Sequence, residues 1–137
     1  MDARHRQQIL IVEDEEPLAV LLKMRLELMG YDVHTEGAGN AALHYAAEHP
    51  IDLAILDVNL PDLNGYEVCR ALRKFSNPWV LPILMLTVRD KPIDQLRGFA
   101  HGADAYLTKP FTTAELCDTV KLLTGEAALT HGQDTPV

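Results

Sequence analysis

Apolar positions along this chain alternate between two rhythms. Ile9-Leu10-Ile11-Val12 is a short unbroken apolar run rich in β-branched residues, which reads as a strand covered on both faces. Leu18, Leu21, Leu22, Leu26 and Met29 then recur at helical spacing. Pro17 stands near the start of that pattern, where its fixed φ suits a first turn, and Gly30 follows as a stop. The rhythm repeats. Tyr31 to Thr35 predicts a second strand, and Asn40 is placed to cap a helix from Ala41 to Glu48. Leu53 to Leu56 predicts a third strand ending at Asp57. The turn-rich Leu60-Pro61-Asp62-Leu63-Asn64-Gly65 leads into a helix from about Tyr66 to Phe75, broken by Ser76-Asn77-Pro78. Leu81 to Leu86 predicts a fourth strand ending at Thr87. Pro92 opens a helix to about Ala100 and Gly102 closes it; Tyr106 and Leu107 lie in the last strand. After Lys109-Pro110-Phe111, Thr112 or Thr113 caps a final helix through Leu123, and Glu115 suits a capping box with Thr112.

Five strands alternating with five helices predict an α/β fold: a parallel sheet with helices on both faces. Right-handed crossovers leave few topologies for it. With 137 residues the chain is long enough for one domain with its own core. That domain is expected over residues 1–124. Residues 125–137 are small, polar and aperiodic, and read as a disordered tail or the start of a linker.

Charge narrows the function. The formal net charge is −8, so direct nucleic-acid binding is not expected, because phosphates need Lys/Arg neutralisation. The two cysteines, Cys69 and Cys117, form no metal or redox spacing and suit free thiols in a reducing compartment. The polar N-terminus has no apolar core of a signal peptide, and no apolar run reaches the roughly 20 residues of a membrane span. A cytoplasmic location without membrane association is therefore expected. The histidines, including His44, His49 and His101, are scattered and pair with no metal motif. Met24, Met29 and Met85 read as core filler.

In an open parallel sheet, ligands bind beyond the carboxyl ends of the strands, where strand order reverses. The first strand ends in Glu13-Asp14-Glu15-Glu16, the third in Asp57, the fourth in Thr87, and the fifth leads to Lys109. Three carboxylates on one edge raise one another's pKa unless a cation resolves the repulsion. Mg²⁺ prefers oxygen ligands and accepts one or two carboxylates while keeping waters. Asp57 is the candidate nucleophile, since a carboxylate can form an aspartyl-phosphate. Lys109 would pair with a phosphoryl oxygen and Thr87 would donate to another. Glu15 and Glu16 read as a solvated acidic helix start.

These residues resemble the receiver domain of bacterial response regulators. The resemblance runs from about Ile9 to Leu123, and its motifs are Ile9-Leu10-Ile11-Val12-Glu13-Asp14-Glu15, Leu56-Asp57-Val58-Asn59-Leu60-Pro61 with Gly65 downstream, Thr87, and Gly102 through Lys109-Pro110-Phe111. It implies a flavodoxin-like (βα)5 doubly wound sheet of order 2-1-3-4-5. It also implies a site in which Asp57 is phosphoacceptor and Mg²⁺ ligand, Asp14 a direct ligand, Glu13 a ligand through water, and the Asn59 backbone carbonyl a further one. Lys109 would be the phosphate-pairing lysine, and Thr87 and Tyr106 the switch pair, acting on the surface of the fourth helix, fifth strand and fifth helix. The implied partners are a sensor histidine kinase or phosphotransfer protein upstream, and a downstream protein or fused effector domain.

Some positions depart from the family's usual pattern. Val88 stands where Ala or Gly is usual, and its bulk is expected to narrow access to Asp57. Asn59 and Arg89 occupy variable positions that tune phosphoryl lifetime. Ala105 replaces the second Asp of the winged-helix transcription regulators, so their salt-bridged dimer is not expected. Two rivals fail on residues: a flavin protein needs a Ser/Thr/Gly-rich loop where Glu13 to Pro17 stand, and a haloacid-dehalogenase-like phosphatase needs Asp where Asn59 stands. The remaining alternative is a phosphorylation-independent docking module on the receiver fold.

Overall fold

The computed structural model describes residues 6–75, 81–88, 100 and 102–125. The expected break at Ser76-Asn77-Pro78, Arg89, the helix from Pro92 short of Ala100, and the tail after Gly125 lie outside the described residues. Five parallel strands form one sheet: β1 (Gln8–Val12), β2 (Asp32–Glu36), β3 (Leu53–Asp57), β4 (Ile83–Thr87) and β5 (Ala105–Thr108). Their order is β2-β1-β3-β4-β5, as expected. The register aligns Val12 with Leu56, Asp57 with Leu86, and Thr87 with Thr108, so the functional strand ends finish at nearly one level.

β3 and β4 are buried at every residue, which is why their sequences are unbroken apolar runs. Alternation of side chains divides the core in two. Leu10, Val12, Leu56 and Met85 pack with Ala42, Val68 and Leu72 on one face. Ile9, Ile11, Ile55 and Leu84 pack with Leu22, Leu26, Leu116 and Val120 on the other. The first face is covered by α2 (Gly39–Glu48) and α3 (Gly65–Phe75), the second by α1 (Glu16–Leu28) and the C-terminal helix (Thr113–Thr124). That last helix has the expected capping box: Thr112 Oγ1 accepts the Glu115 N–H at 3.0 Å and the Glu115 carboxylate accepts the Thr112 N–H at 2.8 Å. Asn64 and Glu67 make the same reciprocal pair at the start of α3.

The start of α2 differs from expectation. Asn40 is not its cap; the helix begins at Gly39 behind Ala38. Asp62, in the loop after β3, caps it from across the fold, accepting the N–H of Gly39 at 2.7 Å and of Asn40 at 2.9 Å. A carboxylate satisfies two unpaired donors at a positive helix end better than a neutral amide can. The same hydrogen bonds hold the Asp62 carboxyl below its ordinary range. At the far end of α3, Arg73 donates to the carbonyls of Leu81 and Gly102 and to Asp104 at 2.7 Å, and Asp104 in turn accepts the Ile83 N–H. This network ties α3 to the entries of β4 and β5.

Of the methionines expected in the core, Met85 is buried and Met29 half-buried, but Met24 is 52% exposed. α1 buries Ala19, Leu22 and Leu26, and Met24 falls on the opposite side of the helix at 100° per residue.

Candidate functional site

The site sits where β1, β3 and β4 end and the β5 loop returns. β1 runs buried through Val12 into Glu13, whose N–H bonds the Glu36 carbonyl of β2 at 3.0 Å. That bond carries the Glu13 side chain inward, where the residue is 2% exposed, while Asp14 faces solvent. Asp57 closes β3 at 4% exposure, and its Oδ1 accepts the Asn59 N–H at 3.1 Å. Thr87 closes β4 and is fully buried. Its carbonyl accepts the Lys109 N–H at 2.6 Å, which sets the lysine across from the acidic cluster. Lys109 and Pro110 are joined by a cis peptide bond.

The Lys109 ammonium lies 3.0 Å from Glu13 Oε1, 3.3 Å from Asp57 Oδ2 and 3.7 Å from Glu15 Oε1. Glu13, Asp14 and Asp57 each offer a carboxylate oxygen, all within 4.8 Å of one another. Such a cluster of hard oxygen donors fits a small divalent cation. Burial pushes the Glu13 carboxyl up to about 7; the Lys109 hydrogen bond opposes that shift and the Asp57 carboxylate adds to it. Burial works against the Lys109 ammonium too, but Glu13 and Asp57 outweigh it and hold its pKa above the ordinary value. The lysine is therefore a fixed positive charge at neutral pH.

The structure brings together Glu13, Asp14, Asp57, Lys109 and the buried end of β4 at Thr87. Asn59 is exposed two residues beyond Asp57, and Val88 is 62% exposed just after β4. Tyr106 is half-buried on β5, and its hydroxyl hydrogen-bonds that of Tyr66 at 2.7 Å. The sequence reading missed Tyr66, because α3 and β5 meet only across the sheet face. Glu15, expected as a solvated helix start, is exposed, and its carboxylate also reaches Lys109 at 3.7 Å. Gly65 has a structural role at the site: a Cβ there would lie 2.4 Å from the Asp57 carbonyl oxygen and 2.9 Å from Val58 Cα. Among the described residues no helix is long and apolar enough to cross a membrane.

Comparison with known proteins agrees with this arrangement. The family model for the response regulator receiver domain matches residues 9–121. A chain from Chloroflexus aurantiacus described as a response regulator is 36% identical, with a TM-score of 0.83 over 88% of this chain and 99% of its own. Chemotaxis protein CheY4 of Vibrio cholerae is 34% identical, with a TM-score of 0.82 over 87% of this chain and 99% of its own. The receiver domain of a Pseudomonas aeruginosa PAO1 sensor histidine kinase, solved with a magnesium ion in its active-site cleft, is 31% identical, with a TM-score of 0.80 over 88% and 99%. On a match covering residues 9–121, this chain belongs to the response regulator receiver domains of two-component signalling, a CheY-like signalling domain rather than a classical enzyme.

Proposed function

We propose that this domain is a phosphorylatable switch in which Asp57 accepts a phosphoryl group from a sensor histidine kinase or phosphotransfer protein. The observation behind this reading is the Asp57 carboxylate, held by the Asn59 N–H on one oxygen and facing Lys109 at 3.3 Å on the other, within the three-carboxylate cluster. Asp14 and Asp57 would hold Mg²⁺ directly, with the Asn59 carbonyl, and Glu13 through water; a magnesium-bearing relative supports this assignment. The ion would neutralise charge on the phosphoryl oxygens. An Asp57 oxygen forms the new P–O bond as the donor's bond to phosphorus breaks. Lys109 leaves its carboxylate partners to pair with a phosphoryl oxygen, and Thr87 donates to another. The domain would thus promote its own phosphorylation and the later attack of water.

The added charge at Asp57 would draw Thr87 toward it and free room for Tyr106 to turn inward, releasing Tyr66. The surface around β5 and its flanking helices would change, and with it the binding of a downstream protein or fused effector domain. Intact mass tests the chemistry: with acetyl phosphate the protein is expected to gain one phosphoryl group in Mg²⁺ and none in EDTA. No gain from acetyl phosphate or from a purified phosphodonor would favour the phosphorylation-independent docking module instead.

Two further outcomes follow from the electrostatics. Lys109→Ala should stay folded but lose phosphorylation-dependent partner binding, because the phosphoryl group has no cation to pull against. Unchanged partner binding in that variant, measured with and without phosphodonor, would remove Lys109 from the switch. The second outcome concerns pH. A carboxyl whose folded pKa is raised from 4.5 to about 7 binds its proton more tightly in the folded state. Its stabilising effect is full below about pH 4.5 and disappears as pH rises through about 7, a loss of up to about 3 kcal/mol. Chemical denaturation in EDTA should therefore show lower stability at pH 8 than at pH 6, and Mg²⁺ should narrow the gap. Equal stability at both pH values in EDTA would contradict the upward shift of the buried Glu13 carboxyl.

A further inference from the structure

The clustered carboxylates come from two separate loops, and a third segment joins those loops. Glu13 and Asp14 follow β1, while Asp57 closes β3 and leads to Asn59. The connection from β2 to α2 touches both. The Glu36 carbonyl accepts the Glu13 N–H at 3.0 Å. A few residues on, the N–H groups of Gly39 and Asn40 donate to Asp62 Oδ1 and Oδ2 at 2.7 and 2.9 Å. Asp62 Oδ1 also accepts the Leu63 N–H at 2.8 Å. An exposed loop aspartate is ordinarily solvated, yet this one commits both oxygens to backbone donors. The loop that carries Asn59 is thus closed at its base by the Gly65 N–H on the Val58 carbonyl, at 2.7 Å, and held at its tip by Asp62. The two segments are in close contact: a Cβ at Gly39 would lie 2.8 Å from Val68 Cγ2 and 3.0 Å from Leu63 Cβ.

We propose that Asp62 is a positioning residue for the cation: it braces the Asn59 loop against the β2–α2 connection and so keeps the oxygen donors after β3 in register with those after β1. This rests on the reading that the carboxylate cluster takes Mg²⁺. Mg²⁺ demands near-ideal octahedral geometry. Donors on two loops that move independently would have to be ordered when the ion binds, which lowers affinity. Here the brace orders them on folding. Asp62 acts through the backbone, since its own oxygens are turned to the start of α2.

Calorimetric titration of the full chain with Mg²⁺ tests this, comparing wild type with Asp62→Ala and Asp62→Asn, each checked for fold by circular dichroism. Both variants lose the same charge, so through-space attraction for the cation falls equally in both. Asn keeps a carbonyl oxygen for the Gly39 and Leu63 N–H groups, and Ala keeps none. Asp62→Ala is expected to bind Mg²⁺ about tenfold more weakly than wild type, and Asp62→Asn only about threefold more weakly. With acetyl phosphate, Asp62→Ala should need about tenfold more Mg²⁺ for its half-maximal rate, and saturating Mg²⁺ should restore the wild-type rate. Should Asp62→Ala fail to fold, Asn40→Pro takes its place. It removes one donor in a first helical turn that tolerates proline, changes no charge, and should weaken Mg²⁺ binding about threefold. Unchanged Mg²⁺ affinity in these variants, with only a lower urea midpoint, would make Asp62 a helix cap and overturn the proposal alone. Equal losses in Asp62→Ala and Asp62→Asn would also overturn it, in favour of charge. A wild type that takes up no Mg²⁺ would remove the cation reading and this proposal together.

Discussion

Asp57→Asn is expected to lose phosphoryl uptake by at least about 10³-fold, equivalent to some 4 kcal/mol of barrier. The side chain keeps its shape, so the Asn59 N–H can still donate to it and β3 can still close in register. What it loses is the anionic oxygen that attacks phosphorus, one of the three carboxylates around Lys109, and one of the three clustered carboxylates. No neighbouring group can replace it. Glu13 is buried and its carboxyl, pushed up to about 7, is engaged by the Lys109 ammonium at 3.0 Å, and Asp14 lies out toward solvent. Removing the Asp57 charge should also relax Glu13, because that charge contributes to raising it. The variant should therefore be at least as stable as wild type without a divalent cation. Intact mass with acetyl phosphate, and with any purified phosphodonor, provides the measurement. A phosphoryl group appearing on the variant would move the acceptor elsewhere and sink the assignment.

The second large effect is expected from a position outside the chemistry. Gly65→Ala should cost about 3 kcal/mol or more in folding stability. The added methyl would lie 2.4 Å from the Asp57 carbonyl oxygen and 3.0 Å from its carbonyl carbon. These are backbone atoms of a fully buried strand, so they cannot step aside as a surface side chain could. The Gly65 N–H also bonds the Val58 carbonyl at 2.7 Å, which pins the start of α3 against the end of β3. Separating the two would break that bond and shift Asp57 away from Lys109. Urea denaturation should report the loss, and the fraction still folded should phosphorylate more slowly than wild type. A variant with wild-type stability would mean that α3 can pull back from β3 without cost.

Much of this molecule is legible from one-dimensional pattern. Strand and helix rhythms depend on neighbours a few residues apart, so Ile9 to Val12, Leu53 to Asp57 and the Thr112–Glu115 capping box could be read directly. The site residues were legible for a related reason: a parallel sheet delivers the residue after each strand to the same edge. Glu13, Asp14, Asp57, Thr87 and Lys109 could thus be gathered from four separate places in the chain. Boundaries were less legible. The second strand was expected from Tyr31 and runs from Asp32, because its limits are set by pairing with β1 rather than by its own composition.

One-dimensional pattern specifies the α/β alternation, the central buried strands and the set of groups at their carboxyl ends. Tertiary structure alone decided how those groups divide their interactions. Lys109 engages Glu13, 96 positions away, as closely as it does Asp57. Asp62 rather than Asn40 caps α2, Tyr106 bonds Tyr66, and Met24 faces out. Local periodicity reports which face of an element is apolar. Which partner a polar group finds, and whether a second apolar face is covered, depends on the distance and direction at which the crossovers bring remote segments together.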